Sequence, residues 1–283
     1  MPVKAAARHI WLCADDYGLS LGVNTGIREL IARGRLNATS VMVVAPHLDD
    51  DEAPELEALN SGKKRAAIGL HVTLTAPFKP VSEGFAPLRN GCFLPLGEML
   101  RAAVSRRLRP DLLTIEIASQ MRAFVETFGH LPDFLDGHQH VHLFPQVRDA
   151  FLKVAAETAP DAWVRQCGRA NSLWRLHDRK ALMLDVLSVR FRRKAARLGV
   201  VTNPAFAGTY AFRSSADFTK IFPRFLSGLP DGGLIMCHPG HVDAELQRLD
   251  TLTHLREREL AFFNSDEFPR VLAGHGVALI EPD

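Results

Sequence analysis

Four short stretches place acids and imidazoles where metal or acid–base chemistry would need them. Cys13-Ala14-Asp15-Asp16-Tyr17-Gly18 sets two adjacent carboxylates between an apolar run and the start of a helical pattern. Neighbours on a regular strand point to opposite faces, but at a frayed strand end both can converge on one site. An acidic turn with a helix cap is the bland alternative. Ile68 to Leu74 carries His71 inside an otherwise apolar strand pattern, where a hydrogen-bonded core histidine is the ordinary alternative to a ligand. Asp136-Gly137-His138-Gln139-His140-Val141-His142 gathers an acid and three imidazoles behind a β-like run. At strand spacing His138, His140 and His142 would share one face, with Gly137 able to bend the chain. Cys237-His238-Pro239-Gly240-His241 again follows a β-like run with a histidine, then turn residues.

Together these stretches offer Asp and His side chains from separate strand ends. One carboxylate and two neutral imidazoles on a divalent cation leave positions open for water and substrate, the arrangement that hydrolysis needs. Such a cation polarises a carbonyl and lowers the pKa of its water, and a second carboxylate takes the released proton. The residues by themselves therefore point to metal-assisted hydrolysis.

The elements that must position them alternate in type. Ile10–Ala14, Ser40–Ala45, Ala67–Leu74, Phe134–Asp136, Ala162–Arg165, Leu234–Cys237 and Val277–Ile280 read as strands. Asn24–Arg33, Pro54–Leu59, Asp111–Phe128, Val147–Glu157, Lys180–Leu198, Asp217–Leu226 and Leu255–Phe263 read as helices. In Asp111–Phe128 the residues Leu113, Ile117, Met121, Phe124 and Phe128 recur at helical steps along one face. The alternation predicts an α/β fold, a parallel sheet with crossover helices, barrel-like or doubly wound, whose strand C-termini line the active face. A single domain over residues 1–283 is the economical description, with no repeat and no interdomain linker. Ala76 to Pro95, rich in Pro and Gly and containing Phe78, Phe85 and Phe93, reads as a long irregular loop of the kind that is functional or mobile.

Composition excludes several classes. With 283 residues, 47% of them hydrophobic, the chain has ample material for a core and is neither disordered nor a small disulfide scaffold. Lys+Arg 34 against Asp+Glu 32 leaves a net charge of +2, too little for a dedicated nucleic-acid binder. Cys13, Cys92, Cys167 and Cys237 form no C-x-x-C pair and read as free, mostly buried thiols in a reducing compartment. The apolar stretch after Lys4 and Arg8 is too short for a signal-peptide core, and no run approaches transmembrane length, so a cytoplasmic protein is expected. Arg190-Phe191-Arg192-Arg193-Lys194 and Arg197 read as a solvated basic helix face, with Leu184, Leu187 and Phe191 turned inward; peripheral membrane contact is the side expectation.

The words Ala14-Asp15-Asp16-Tyr17-Gly18-Leu19-Ser20, Gly69-Leu70-His71, Asp136-Gly137-His138-Gln139-His140-Val141-His142 and Cys237-His238-Pro239-Gly240 span most of the chain. In order and spacing the sequence resembles the YdjC-like carbohydrate deacetylases, which include chitooligosaccharide and hopanoid-associated deacetylases. The resemblance implies a distorted, TIM-like (β/α) barrel and removal of an acetyl group from an N-acetylated sugar or glycolipid. It implies Asp16, His71 and His138 as ligands of one divalent metal ion, magnesium or zinc first, then nickel, cobalt or manganese. Asp15 would be the general base and His238 the proton donor to the departing amine. His140, His142 and Asp136 would support the ligands or contact substrate. A homodimer is a further expectation. Two alternatives stand beside this reading: another metal-dependent barrel hydrolase such as a phosphoesterase, and a non-catalytic carbohydrate- or lipid-binding module.

Overall fold

The computed structural model describes residues 7–48, 51–170, 179–210, 216–250 and 253–282, with the side chains of residues 179 and 180 also outside the description. Lys4 of the amino-terminal stretch therefore lies outside it. The chain alternates as β1 (Arg8–Tyr17), α1 (Leu21–Ala32), β2 (Ala38–Val41), α2 (Glu52–Ala58) and β3 (Ala67–Val72). A small hairpin, β4 (Leu88–Arg89) and β5 (Cys92–Phe93), leads to α3 (Leu96–Val104) and α4 (Pro110–Phe128). Then come β6 (Phe134–Gly137), a 3₁₀ segment His138–Leu143, α5 (Val147–Thr158), β7 (Trp163–Val164) and α6 (Arg179–Arg197). The remainder is β8 (Phe206–Ala207), α7 (Phe218–Leu226), β9 (Leu234–Cys237), α8 (Ala244–Leu249), α9 (Thr253–Asn264), α10 (Glu267–Gly274) and β10 (Val277–Leu279).

The main sheet runs β7-β6-β3-β2-β1-β9-β8, with β10 added to the start of β1, and every pairing in it is parallel. Its two ends curl towards each other. Val164 bridges in parallel to Thr202, and the Phe206 amide donates to the Gly168 carbonyl at 2.9–3.0 Å spacing typical of a ladder, here 3.0 Å. The sheet is thus a distorted (β/α) barrel with the helices outside, and all the C-terminal strand ends face the same way.

The predicted helix over Asp111–Phe128 forms as α4, from Pro110 in the first turn to a left-handed Gly129 after the last. Its apolar positions Leu113, Ile117, Met121, Phe124 and Phe128 are all buried, as their spacing requires. In α1 the Ser20 hydroxyl caps the Val23 amide, and the Asn24 amide oxygen receives the Gly18 N–H at 2.6 Å. These two bonds fix the turn that follows Asp15 and Asp16.

Several sequence expectations are corrected here. The expected strand Ser40–Ala45 stops at Val41, because the chain then turns, the Ala45 amide donating to the Met42 carbonyl at 3.0 Å. Residues 138–142 are not a strand: Gln139 and His140 adopt left-handed backbone angles, φ 53° and 61°. The three imidazoles consequently diverge instead of sharing a face. Ala76 to Pro95 is ordered around the β4–β5 hairpin, whose Asn90-Gly91 turn has positive φ at both residues. Phe78, Phe85 and Phe93 are buried within it, as loop core.

Candidate active site

The strand ends deliver the predicted residues to one place. Asp15 and Asp16 close β1, His71 lies near the end of β3, Asp136 is in β6, His138 follows it, and His238 follows β9. Parallel register sets His71 beside Asp136 and Ala14 beside Cys237. Asp16 has φ 73°, and this left-handed step lets two consecutive carboxylates face the same cavity. Asp15, Asp16, His71, His138, His140 and His238 all line a cavity of about 230 Å³. Leu96, Met236 and Leu255 supply apolar wall, and Asp250, Arg256 and Glu259 supply charge.

The Asp16 carboxylate presents Oδ1 to His138 Nδ1 at 3.0 Å and to His71 Nε2 at 3.4 Å. Donors each about 2.1 Å from a common ion lie roughly 3.0–3.4 Å apart at octahedral to tetrahedral angles, so both distances from Asp16 Oδ1 suit a shared cation, and one ligand atom of each of the three residues lies within 4.8 Å of the others. The other ring nitrogen of His71 sits 2.5 Å from Asp136 Oδ1 and 3.0 Å from the Ser40 hydroxyl, which fixes the ring and turns Nε2 towards Asp16. Burial alone would depress the His71 pKa, but Asp136 and Asp16 pull it up to about 10: the cluster favours positive charge at its centre. A donor set of one carboxylate and two imidazoles in an electronegative corner fits a divalent cation.

Asp15 meets a different partner. Arg165, just past β7 and fully buried, places Nη1 2.6 Å from Asp15 Oδ2 and Nη2 2.6 Å from Asp15 Oδ1. Nη2 also lies 2.6 Å from Asp136 Oδ2 and 3.0 Å from the Cys13 sulfur. Burial pushes the Asp15 carboxyl up, yet the Arg165 fork overrides it and holds the group well below the usual carboxylate range. Cys13, Asp15 and Asp136 have metal-ligating types and lie close together, but the guanidinium fills the space between them.

The remaining predicted residues take separate places. His140 lines the cavity, with Nδ1 3.5 Å from the Cys167 sulfur and its ring edge-on to Phe206. His142 is buried behind it, its Nε2 2.9 Å from the Arg165 carbonyl, and burial lowers its pKa to about 4. Gly137 is needed there, since a Cβ would lie 2.8 Å from the His142 ring. His238 is half-buried at the cavity wall, its amide donating to Glu259 Oε2 at 2.6 Å. The Phe78 ring meets His138 edge-on at 5.9 Å.

Sequence reasoning did not single out Arg165, Arg256 or Glu259. Arg165 closes an expected strand, and a cation at a strand end was the available signal. Arg256 and Glu259 sit in the charged run Arg256-Glu257-Arg258-Glu259 of α9, which resembles a solvated helix face, yet both are buried. Arg190, Arg192, Arg193 and Arg197 are exposed on α6 while Leu184 and Phe191 turn into the core. Cys13, Cys167 and Cys237 are free and buried, and Cys92 is half-buried. Among the described residues no helix is long and apolar enough to cross a membrane.

Residues 9–274 match the family model described as YdjC-like protein. The chain belongs to the YdjC-like family. A chitooligosaccharide deacetylase of Escherichia fergusonii is 29% identical over 225 residues, covering 74% of this chain and 86% of that relative. Among solved structures, a proposed cellobiose-phosphate cleavage protein of Enterococcus faecalis V583 superposes with a TM-score of 0.75 at 19% identity, over 98% of both chains. The Bc1960 peptidoglycan N-acetylglucosamine deacetylase matches with a TM-score of 0.51 at 11% identity, over 96% of this chain and 85% of that one. At such identities the structural matches establish a shared barrel fold for this YdjC-like chain.

Proposed function

We propose that the protein is a metal-dependent carbohydrate N-deacetylase, hydrolysing the acetamide of an N-acetylated sugar to acetate and an amine. The observation that carries this reading is the split between two adjacent carboxylates. Asp16 faces two imidazoles at cation spacing, while Asp15 is clamped by Arg165 beside them. The chitooligosaccharide deacetylase relative favours an N-acetylglucosamine-type substrate.

Asp16, His71 and His138 would hold the cation, which when bound supplies Lewis-acid polarisation of the acyl oxygen and acidifies water. Asp15, held ionised by Arg165, accepts the proton of the water that adds to the acetyl carbon. A carboxylate so strongly paired is a weak base, so its use depends on that water being acidic. Arg165 bonds both Asp15 oxygens and thus fixes where the proton is taken. His238 faces Asp15 closely enough for electrostatic coupling and protonates the amine as the C–N bond breaks. Leu96, Met236 and Leu255 shelter the acetyl methyl and the sugar face from water.

Two-metal phosphoesterase chemistry is disfavoured by Arg165, whose guanidinium occupies the second acidic cluster. The test is acetate release from N-acetylglucosamine, its short oligomers and a glycolipid analogue, using metal-loaded, chelated and Asp15→Asn protein. Release that needs metal and disappears in Asp15→Asn supports the reading. Folded, metal-loaded protein that releases no acetate from any of them overturns it.

A further inference from the structure

Arg256 reaches the site from α9 and is buried, yet it uses its guanidinium in an unusual way. One nitrogen, Nη2, serves both Asp16 Oδ2 at 2.6 Å and Asp250 Oδ2 at 2.7 Å. Among the described residues Nε and Nη1 are buried without a hydrogen-bond partner. A buried arginine normally spends its planar fork on a carboxylate in parallel bonds, as Arg165 does on Asp15. Leaving two nitrogens unmatched is costly, and an apolar side chain of similar length would serve stability better. The arrangement therefore makes sense as placing positive charge at one spot, behind Asp16 on the side away from His71 and His138.

We infer that Arg256 is a positioning residue that restricts Asp16 to contact through a single oxygen. This rests on the reading above in which Asp16, His71 and His138 hold a divalent cation. With Oδ2 tied to Arg256, only Oδ1 is free to face the two imidazoles. The carboxylate cannot rotate into a two-oxygen grip, so one more coordination position stays with water or substrate. The guanidinium also withdraws charge from Asp16, weakening it as a donor and trading metal affinity for a stronger Lewis acid. Asp250, partly exposed at the cavity wall, holds Arg256 from the other side.

The experiment uses manganese(II) as the probe, with water-proton relaxation counting the waters on the bound ion and a parallel titration giving its affinity. In Arg256→Met the count falls by one, manganese binds as tightly or about tenfold tighter, and turnover at saturating metal drops on the order of 10²-fold. Arg256→Lys, which keeps a donor and the charge, restores the water count and part of the turnover. Asp250→Asn, a milder change that leaves the guanidinium in place, shifts all three readouts in the same direction by less, and serves if Arg256→Met does not fold. An unchanged water count, or weakened affinity with wild-type turnover at saturating metal, overturns the inference while leaving the metal site standing. Wild-type protein that binds neither manganese nor zinc overturns the metal site itself and the inference with it.

Discussion

Asp15 and Asp16 are consecutive in the chain and both buried, but their surroundings are opposite in kind. Asp15 belongs to a charge-paired floor: both oxygens are bonded by Arg165, which also reaches Asp136 and Cys13. Asp16 belongs to an open corner, with one oxygen taken by Arg256 and the other directed at two imidazoles that can share it with a cation. The comparison teaches that a single left-handed residue can divide one dipeptide between two jobs. One carboxylate is fixed and charged; the other presents a single oxygen to two imidazoles.

The sharpest way to break that comparison is to neutralise each carboxylate in turn. Asp15→Asn should retain bound metal and lose turnover by roughly 10²–10⁴-fold, whereas Asp16→Asn should lose the metal first, as an isothermal metal titration will show. Equal loss of metal in both variants would mean the two carboxylates share one job. Next in size is Arg165→Met, which strands Asp15 and Asp136 without their partner. Removing one side of such a buried cluster costs about 3–5 kcal/mol, measurable by urea unfolding, and a smaller loss would mean the floor is less closed than its distances say.

His142 sharpens the floor's description through pH. Its pKa is lowered to about 4 by burial, while in the unfolded chain it titrates near 6.5. Between those values the unfolded state binds more protons, so stability is intact above about pH 6.5 and declines as pH falls towards 4, by about 3 kcal/mol at most. Thermal unfolding across that window should show the slope, and His142→Gln should flatten it. The smallest effect concerns the rim. Glu116, buried in α4, accepts the Val81 and Ser82 amides and the Ser82 hydroxyl, tying down the loop that rests Phe78 on His138. Glu116→Gln should cost about 1–2 kcal/mol and raise KM more than it lowers kcat; a kcat effect alone would place the loop in the chemistry.

The fold was legible because apolar runs alternate with helical periodicity at parallel-barrel spacing, and α4 shows the periodicity at its clearest. The residues brought to the cavity were legible because acids and histidines directly follow apolar strands, where nothing in core packing calls for them. Three things were hidden. The His138–His142 geometry depends on left-handed backbone at Gln139 and His140, and residue types there give no warning of it. Arg256 and Glu259 are disguised by a run of alternating charges whose exposure is decided by the tertiary position of α9. The β4–β5 hairpin did carry a local signal, Asn90-Gly91, but it lay inside a segment whose Pro and Gly content reads as irregular.

Gly26 of α1 packs so closely on the segment after β9 that a Cβ there would lie 3.0 Å from the Gly240 Cα, and β1 pairs with both β9 and β10. The cavity is thereby sewn from residues more than 200 positions apart, with Asp15 and Asp16 on one side of the seam and His238, Arg256 and Glu259 on the other. Contacts of such separation close late and slowly. During synthesis β1 can pair with β2 long before β9 and β10 exist, so the acids and imidazoles of the early strands are made before the side that carries His238, Arg256 and Glu259. Asp16, His71 and His138, the proposed metal ligands, all precede the late side of that seam, so turnover, which would need His238, and not metal capture becomes the marker of the final folding step.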